Sequence, residues 1–231
     1  MSAGFDVIYE DAQILIVNKP AGIGTQAPAD FDSLEARIRR YQLRARADPP
    51  PYLGIPHRLD RCVSGAMVFA KRKKAAQRLA KQFERREVDK TYHALVRGSL
   101  DPPSGEWRDW LRKIPDQPRA EIVDQQHDEG RLAILHYQVE HTAREVSQLR
   151  ITLETGRMHQ IRVQCGYRGF PILGDEIYGS RESFGPDCAH ARERAIALHA
   201  SEISFVHPKT REKVSFRAPL PTYWVCVSKA P

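Results

Sequence analysis

The sequence predicts an α+β protein built on a largely antiparallel sheet. Two observations carry that expectation. Strand-like runs outnumber helix-like ones along the 231 residues. Most of these runs also follow one another directly, as "LAILHYQVEHT" and "VSQLRITLE" do, with no helix between them. With 41% hydrophobic and 28% charged residues, the chain has the composition of a globular protein and the length to bury a proper core.

The elements are expected in the following order. "FDVIYEDAQILIVNKPAG" holds two β-rich runs joined around Glu10 and Asp11 and stopped at Pro20–Gly22, the pattern of a hairpin. Ser33 is placed to N-cap a helix with Leu34, Ile38 and Tyr41 on one side. "ADPPPYLGIP" cannot continue that helix, because proline lacks the donor and clashes with the preceding turn. It forms a loop leading to His57. "SGAMVFAK" reads as a buried strand, and Ala75, Ala76, Leu79, Ala80 and Phe83 form the apolar side of the next helix. "KTYHALVRG" alternates as a strand should, ending at Gly98. Ser99 to Gly130, rich in proline and charge, is expected to be an irregular insertion with one short hairpin. After the paired strands named above, Thr155-Gly156 opens a helix through "RMHQIRVQCGYRG", and "AIALHASEISFV" and "EKVSFRAPL" supply two late strands. Without repeats or a low-complexity linker, one compact unit is expected rather than two independent domains.

Composition narrows the function classes. No apolar run approaches the roughly 20 residues of a membrane span, and "MSAGFDVIYEDAQ" lacks the basic start and apolar core of a secretory signal. Cys62, Cys165, Cys188 and Cys226 are scattered, without a CxxC pair, so neither a zinc cluster nor a disulfide framework is expected. Reduced thiols in a cytoplasmic protein fit that pattern. The net charge of +7 favours a polyanionic partner such as nucleic acid. The basic runs "KRKKAAQRLAKQFERR" and "RIRRYQLRAR" suit such a partner, but the solvated face of any amphipathic helix looks the same.

Three segments hold the candidate chemistry. "HRLDRCVSG" sets Asp60 between Arg58 and Arg61; taken alone, that is a solvated ion pair worth little. "KTYHALVRG" places Tyr92 in a strand, where an aromatic ring is ordinarily packing. "TGRMHQIRVQ" places Arg157, His159 and Arg162 in the first turns of a helix, where each alone has an ordinary structural role.

Together, "HRLDRCVSG", "KTYHALVRG", "GRMHQIRV", "GFPILGDEIYG" and "LHASEISFVHP" resemble the RluA family of RNA pseudouridine synthases, in the family's order and over nearly the whole chain. Val63 stands where threonine is usual before "SG", Met158 replaces the usual threonine or serine, and "CGYRGFP" is an unusual version of its segment. The resemblance implies a bent, mixed and mainly antiparallel sheet flanked by helices, forming one catalytic domain over residues 1–231 whose two subdomains share a central cleft. It implies a monomer that isomerises uridine in ribosomal or transfer RNA, with neither cofactor nor metal. The catalytic hairpin begins within the first ten residues, so no separate N-terminal RNA-binding domain is expected.

The resemblance also implies roles. Cleaving a glycosidic bond leaves positive charge on the sugar, so an ionised carboxylate, Asp60, is wanted there, as nucleophile or as base. Arg162 is implied as the partner favouring that charge, through a planar fork that can hold a carboxylate. Tyr92 is implied to stack on the uracil and remove the final proton. Ile161 packs near the base, and Arg157 and His159 join the RNA-binding set. Arg58 is implied to fill the stack vacated by the extruded uridine. Two rivals are a catalytically silent RNA-binding protein of the same fold and a nucleoside or sugar hydrolase using Asp60 with His57 or His159.

Overall fold

A computed structural model describes residues 4–28, 31–45 and 51–226. Residues 46–50 of the proline loop, Arg46 of the second basic run among them, and the Cys226 side chain lie outside the described residues. Ten strands and three α-helices are present among those described, and the chain divides into two compact units.

The first unit comprises residues 1–90, 188–194 and 200–220. Its opening hairpin is the expected one: β1 (Asp6–Glu10) pairs antiparallel with β2 (Ile14–Lys19). Asp11 Oδ1 closes the turn by accepting the backbone N–H groups of Gln13 and Ile14, each at 2.7 Å. Ser33 Oγ accepts the Ala36 N–H at 3.1 Å and caps α1 (Leu34–Ala45), which buries Leu34 and Ile38. β3 (Ser64–Ala70) is buried at every residue and pairs antiparallel with β2. α2 (Lys73–Glu84) lays Ala75 and Leu79 on the core and leaves Lys73, Lys74 and Lys81 in solvent. Ile14, Ile16, Val68, Leu79, Ile203 and Phe205 form the centre of this core. β10 (Lys213–Arg217) completes the unit by pairing antiparallel with β9 (Leu198–Val206), whose first two residues belong to the second unit.

The second unit comprises residues 91–187, 195–199 and 221–231. Here β4 (Asp89–Arg97), most of which lies in this unit, pairs antiparallel with β8 (Val146–Leu153), and β8 with β7 (Arg131–Ala143). The turn between β7 and β8 is made by Arg144 and Glu145, both at positive φ, as a two-residue hairpin connection requires.

Two expectations are corrected. The stretch from Ser99 to Gly130 is not mainly irregular: β5 (Ser104–Lys113) runs ten residues, pairs with both β7 and β6 (Ala120–Val123), and buries Trp107 and Leu111. Its outward residues Glu106 and Arg108 are charged and obscured the alternation. The late helix, α3 (Gln160–Tyr167), begins five residues after Thr155, and Arg157 precedes it. The delay has a local cause. His159 sits in the left-handed region at φ 52°, and the Gln160 amide binds Thr155 Oγ1 at 2.7 Å and the Arg157 N–H at 3.0 Å, favouring a tight loop over another helical turn.

Candidate active site

In the first unit, the segment carrying Asp60 is fastened from several sides. Lys19, the last residue of β2, is completely buried. Its Nζ donates to the carbonyls of Pro20 (2.9 Å), Arg61 (3.2 Å) and Val63 (2.6 Å). The Arg61 carbonyl also accepts the Gly22 N–H at 2.8 Å, and the Val63 N–H closes a turn onto the Asp60 carbonyl at 3.1 Å. Thr25 Oγ1 bonds both backbone groups of Leu59, at 2.9 and 3.2 Å. Asp60 is thus half-buried on a segment with little freedom, while the neighbouring Arg58 is exposed. Such restraint is what a group must have to act on a substrate without reorganising.

The same geometry sets the electrostatics. Burial pushes the Lys19 pKa down to about 7, opposed by the nearby Cys62 and Asp60. Lys19 and Asp60 therefore feel each other's charge. His57 has a different role. Its Nε2 accepts the Val68 N–H at 3.0 Å, and its ring stacks on Phe83 with centroids 4.7 Å apart. Desolvation, with Lys90 adding to it, holds the His57 pKa at about 3. The imidazole is neutral and its one acceptor nitrogen is used by backbone, which argues against His57 as the base of a hydrolase.

In the second unit, Tyr92 lies on β4 opposite Ile151 of β8, with 9% of its surface exposed. Arg162, one turn into α3, is buried and grips the equally buried Asp175 through Nε–Oδ2 (2.7 Å) and Nη2–Oδ1 (2.9 Å). Its guanidinium also lies 5.2 Å from the ring centre of Tyr178. The Tyr178 hydroxyl bonds His159 Nδ1 at 2.9 Å and accepts the Ala120 N–H at 2.8 Å. Burial raises the Tyr178 pKa, so the phenol stays neutral. Arg157 Nε donates to the Leu132 carbonyl at 3.0 Å, and Ile161 is buried. The structure thus joins Arg162 and His159 through Tyr178, while Arg157 is tied to the backbone of β7.

Lys19 and Asp175 were given no role by the sequence. Lys19 ends an apolar strand in "NKPAG", and Asp175 stands in the "GDEIYG" segment of the motif set. Neither position by itself says which partner a charge will meet. Separately, Glu106, His136 and Glu154 bring ligand-type atoms within 4.8 Å of one another, but His136 Nε2 is already hydrogen-bonded to Glu154 at 2.7 Å.

The fold is that of a pseudouridylate synthase domain. The chain superimposes on human RNA pseudouridylate synthase domain containing 4 with a TM-score of 0.77 at 22% identity, covering 95% of this chain and 90% of that one. Residues 13–167 match the family model of RNA pseudouridylate synthases. Ribosomal large subunit pseudouridine synthase D of Vibrio cholerae is 34% identical over 231 aligned positions, covering 94% of this chain and 67% of the relative. Dual-specificity RNA pseudouridine synthase RluA of Vibrio vulnificus is 35% identical, covering 94% of this chain and 84% of the relative. The chain belongs to the RluA family of RNA pseudouridine synthases.

Proposed function

We propose that the chain works as one catalytic domain that converts uridine to pseudouridine in structured ribosomal or transfer RNA, with Asp60 as nucleophile or base and without cofactor or metal. The observation that carries this reading is the fastening of the Asp60 segment by Lys19, Gly22 and Thr25, in a chain of this family. As the uracil leaves C1′, positive charge grows on the ribose, and a fixed carboxylate stabilises it. Rotation of the base and bonding through carbon follow, with the proton on that carbon removed at the end by Tyr92. Arg162, held by Asp175 through two hydrogen bonds, belongs with Asp60 and Tyr92 to the catalytic set of this reading. Arg58, exposed next to the fastened segment, takes the place of the extruded uridine, with Arg157, His159 and Ile161 on the RNA-binding side.

The test is Asp60→Asn, which is nearly isosteric and removes the charge. RNA affinity and folding should persist while tritium release from 5-³H-uracil-labelled ribosomal and transfer RNA disappears. Release within roughly tenfold of wild type would overturn the assignment, since a fixed ionic group of this kind contributes at least a hundredfold. Binding by the wild-type chain with no release would favour the silent RNA-binding reading.

A further inference from the structure

A cavity of about 500 Å³ lies beside the turn after β2, with Arg61, Arg192, Phe31, Arg37, Asp32 and Glu193 among its walls. Its charges are unevenly committed. Asp32 pairs with Arg37 at 2.7 Å and with Arg40 at 2.7 Å, so both of these guanidinium groups are committed to one carboxylate. Arg61 makes one long hydrogen bond, Nη1 to the Gly22 carbonyl at 3.4 Å, and Arg192 lies 6.0 Å from the ring centre of Phe31. Among the described residues neither guanidinium forms an ion pair. Phe31 leaves 52% of its surface exposed, although it is a large apolar residue among charged neighbours Asp32, Arg37, Arg61, Arg192 and Glu193.

An exposed aromatic ring beside guanidinium groups that carry no ion pair is a combination that holds a single-stranded nucleotide: the ring stacks on a base, and the cations take the phosphate. The volume suits one nucleotide with room for water. The cavity is also tied to the catalytic segment, because Arg61 follows Asp60 directly and its carbonyl is held by both Lys19 and Gly22. Gly22, at φ 86°, packs so closely on the Glu193 carbonyl that a Cβ there would lie 2.7 Å from it, which fixes the floor against the Arg192 wall.

We infer that this cavity is a subsite for one nucleotide of single-stranded RNA near the target uridine, its base stacked on Phe31 and its phosphate held by Arg61 and Arg192. The inference rests on the proposed RNA-directed function and adds a residue set that function does not use. It makes substrate choice depend on unpaired RNA beside the target.

The experiment measures fluorescence anisotropy of two 5′-fluorescein-labelled probes: a decauridylate, and a ribose-phosphate decamer of equal length without bases. Wild type should prefer the decauridylate, and Phe31→Ala should weaken decauridylate binding at least fivefold while changing the baseless probe less than twofold. Arg192→Ala should weaken both probes and lower the salt dependence by about 0.7 unit of log–log slope for each phosphate that is no longer neutralised. Equal effects of Phe31→Ala on both probes, or none, would overturn the subsite. Competition by uridine 5′-monophosphate at micromolar concentration would overturn the assignment to a strand and point to a free nucleotide instead. Both readouts are independent of turnover. Pseudouridine formation without this Phe31-dependent preference for the decauridylate sinks the subsite alone, and the preference without pseudouridine formation sinks the catalytic reading alone.

Discussion

The Lys19 ammonium donates to the Val63 carbonyl at 2.6 Å, joining the end of one strand to a residue 44 positions along the chain and three beyond Asp60. A buried amine in such a place is a clamp: three carbonyls converge on it, two of them from the segment that presents the carboxylate. Lys19→Met keeps the length of the side chain and removes every donor. Arg61 retains the Gly22 N–H, but Pro20 and Val63 lose this one. The expected result is a loss of about 2 kcal/mol, since leaving buried acceptors unmet exceeds what is gained by removing a desolvated amine. Thermal unfolding should show it as a fall of roughly 4–8 °C, and turnover should fall at least tenfold as Asp60 loses its fixed position.

Stability should also depend on pH through Lys19 and His57. Lys19 has a folded pKa of about 7 against 10.5 for its ordinary value. Between these values the unfolded chain holds more protons, so the Lys19 contribution rises from about pH 7 to 10.5 and is smallest below 7. His57 acts likewise at lower pH: with a folded pKa of about 3 against 6.5, its contribution is complete above 6.5 and is lost as the pH falls towards 3. Urea unfolding across pH 4–10 reads both windows, and Lys19→Met should flatten only the upper one. An unchanged upper slope would show that Lys19 does not titrate in that window.

Removing the partner of Arg162 should be costly. Asp175→Ala removes the two-pronged partner of a guanidinium that is 4% exposed, and taking one member from a buried pair costs about 3–5 kcal/mol. Unfolding should begin at least roughly 6 °C lower. Arg162→Lys keeps the charge but loses the two-pronged grip and the stacking against Tyr178, and turnover should fall at least roughly a hundredfold. A near-normal rate would make Arg162 a structural residue only.

Gly65 offers a test of the fold. It lies at φ 123°, and a Cβ there would overlap the backbone of Ala200. Gly65→Ala should therefore cost about 3 kcal/mol or more, since both the conformation and the space are wrong. Soluble, fully active protein with an unchanged melting temperature would contradict the close approach.

Arg58→Ala should separate extrusion from general binding. Single-turnover modification of folded RNA at saturating protein should slow at least tenfold, while an unpaired target uridine in a flexible loop should lose roughly threefold or less, because extrusion there costs less. Equal losses on both substrates would assign Arg58 to the active site generally.

The sequence by itself determined the class, most of the strands and the identity of the motif residues. The signals involved are local: period-two alternation in "KTYHALVRG", an N-cap at Ser33, proline where a helix must stop. The tertiary structure decided the partners. That Lys19 would be fully buried depends on where residues 61 and 63 arrive in space, and that Arg162 would spend its fork on Asp175 depends on a loop 13 residues away. It also recovered β5, whose charged outer face hides a strand until β7 is seen beside it, and it shortened α3, because His159 enters a left-handed conformation that helix periodicity does not reveal. Patterns along a chain report which face is buried. They do not report which charge meets which carbonyl, because that is set by contacts between segments far apart in sequence.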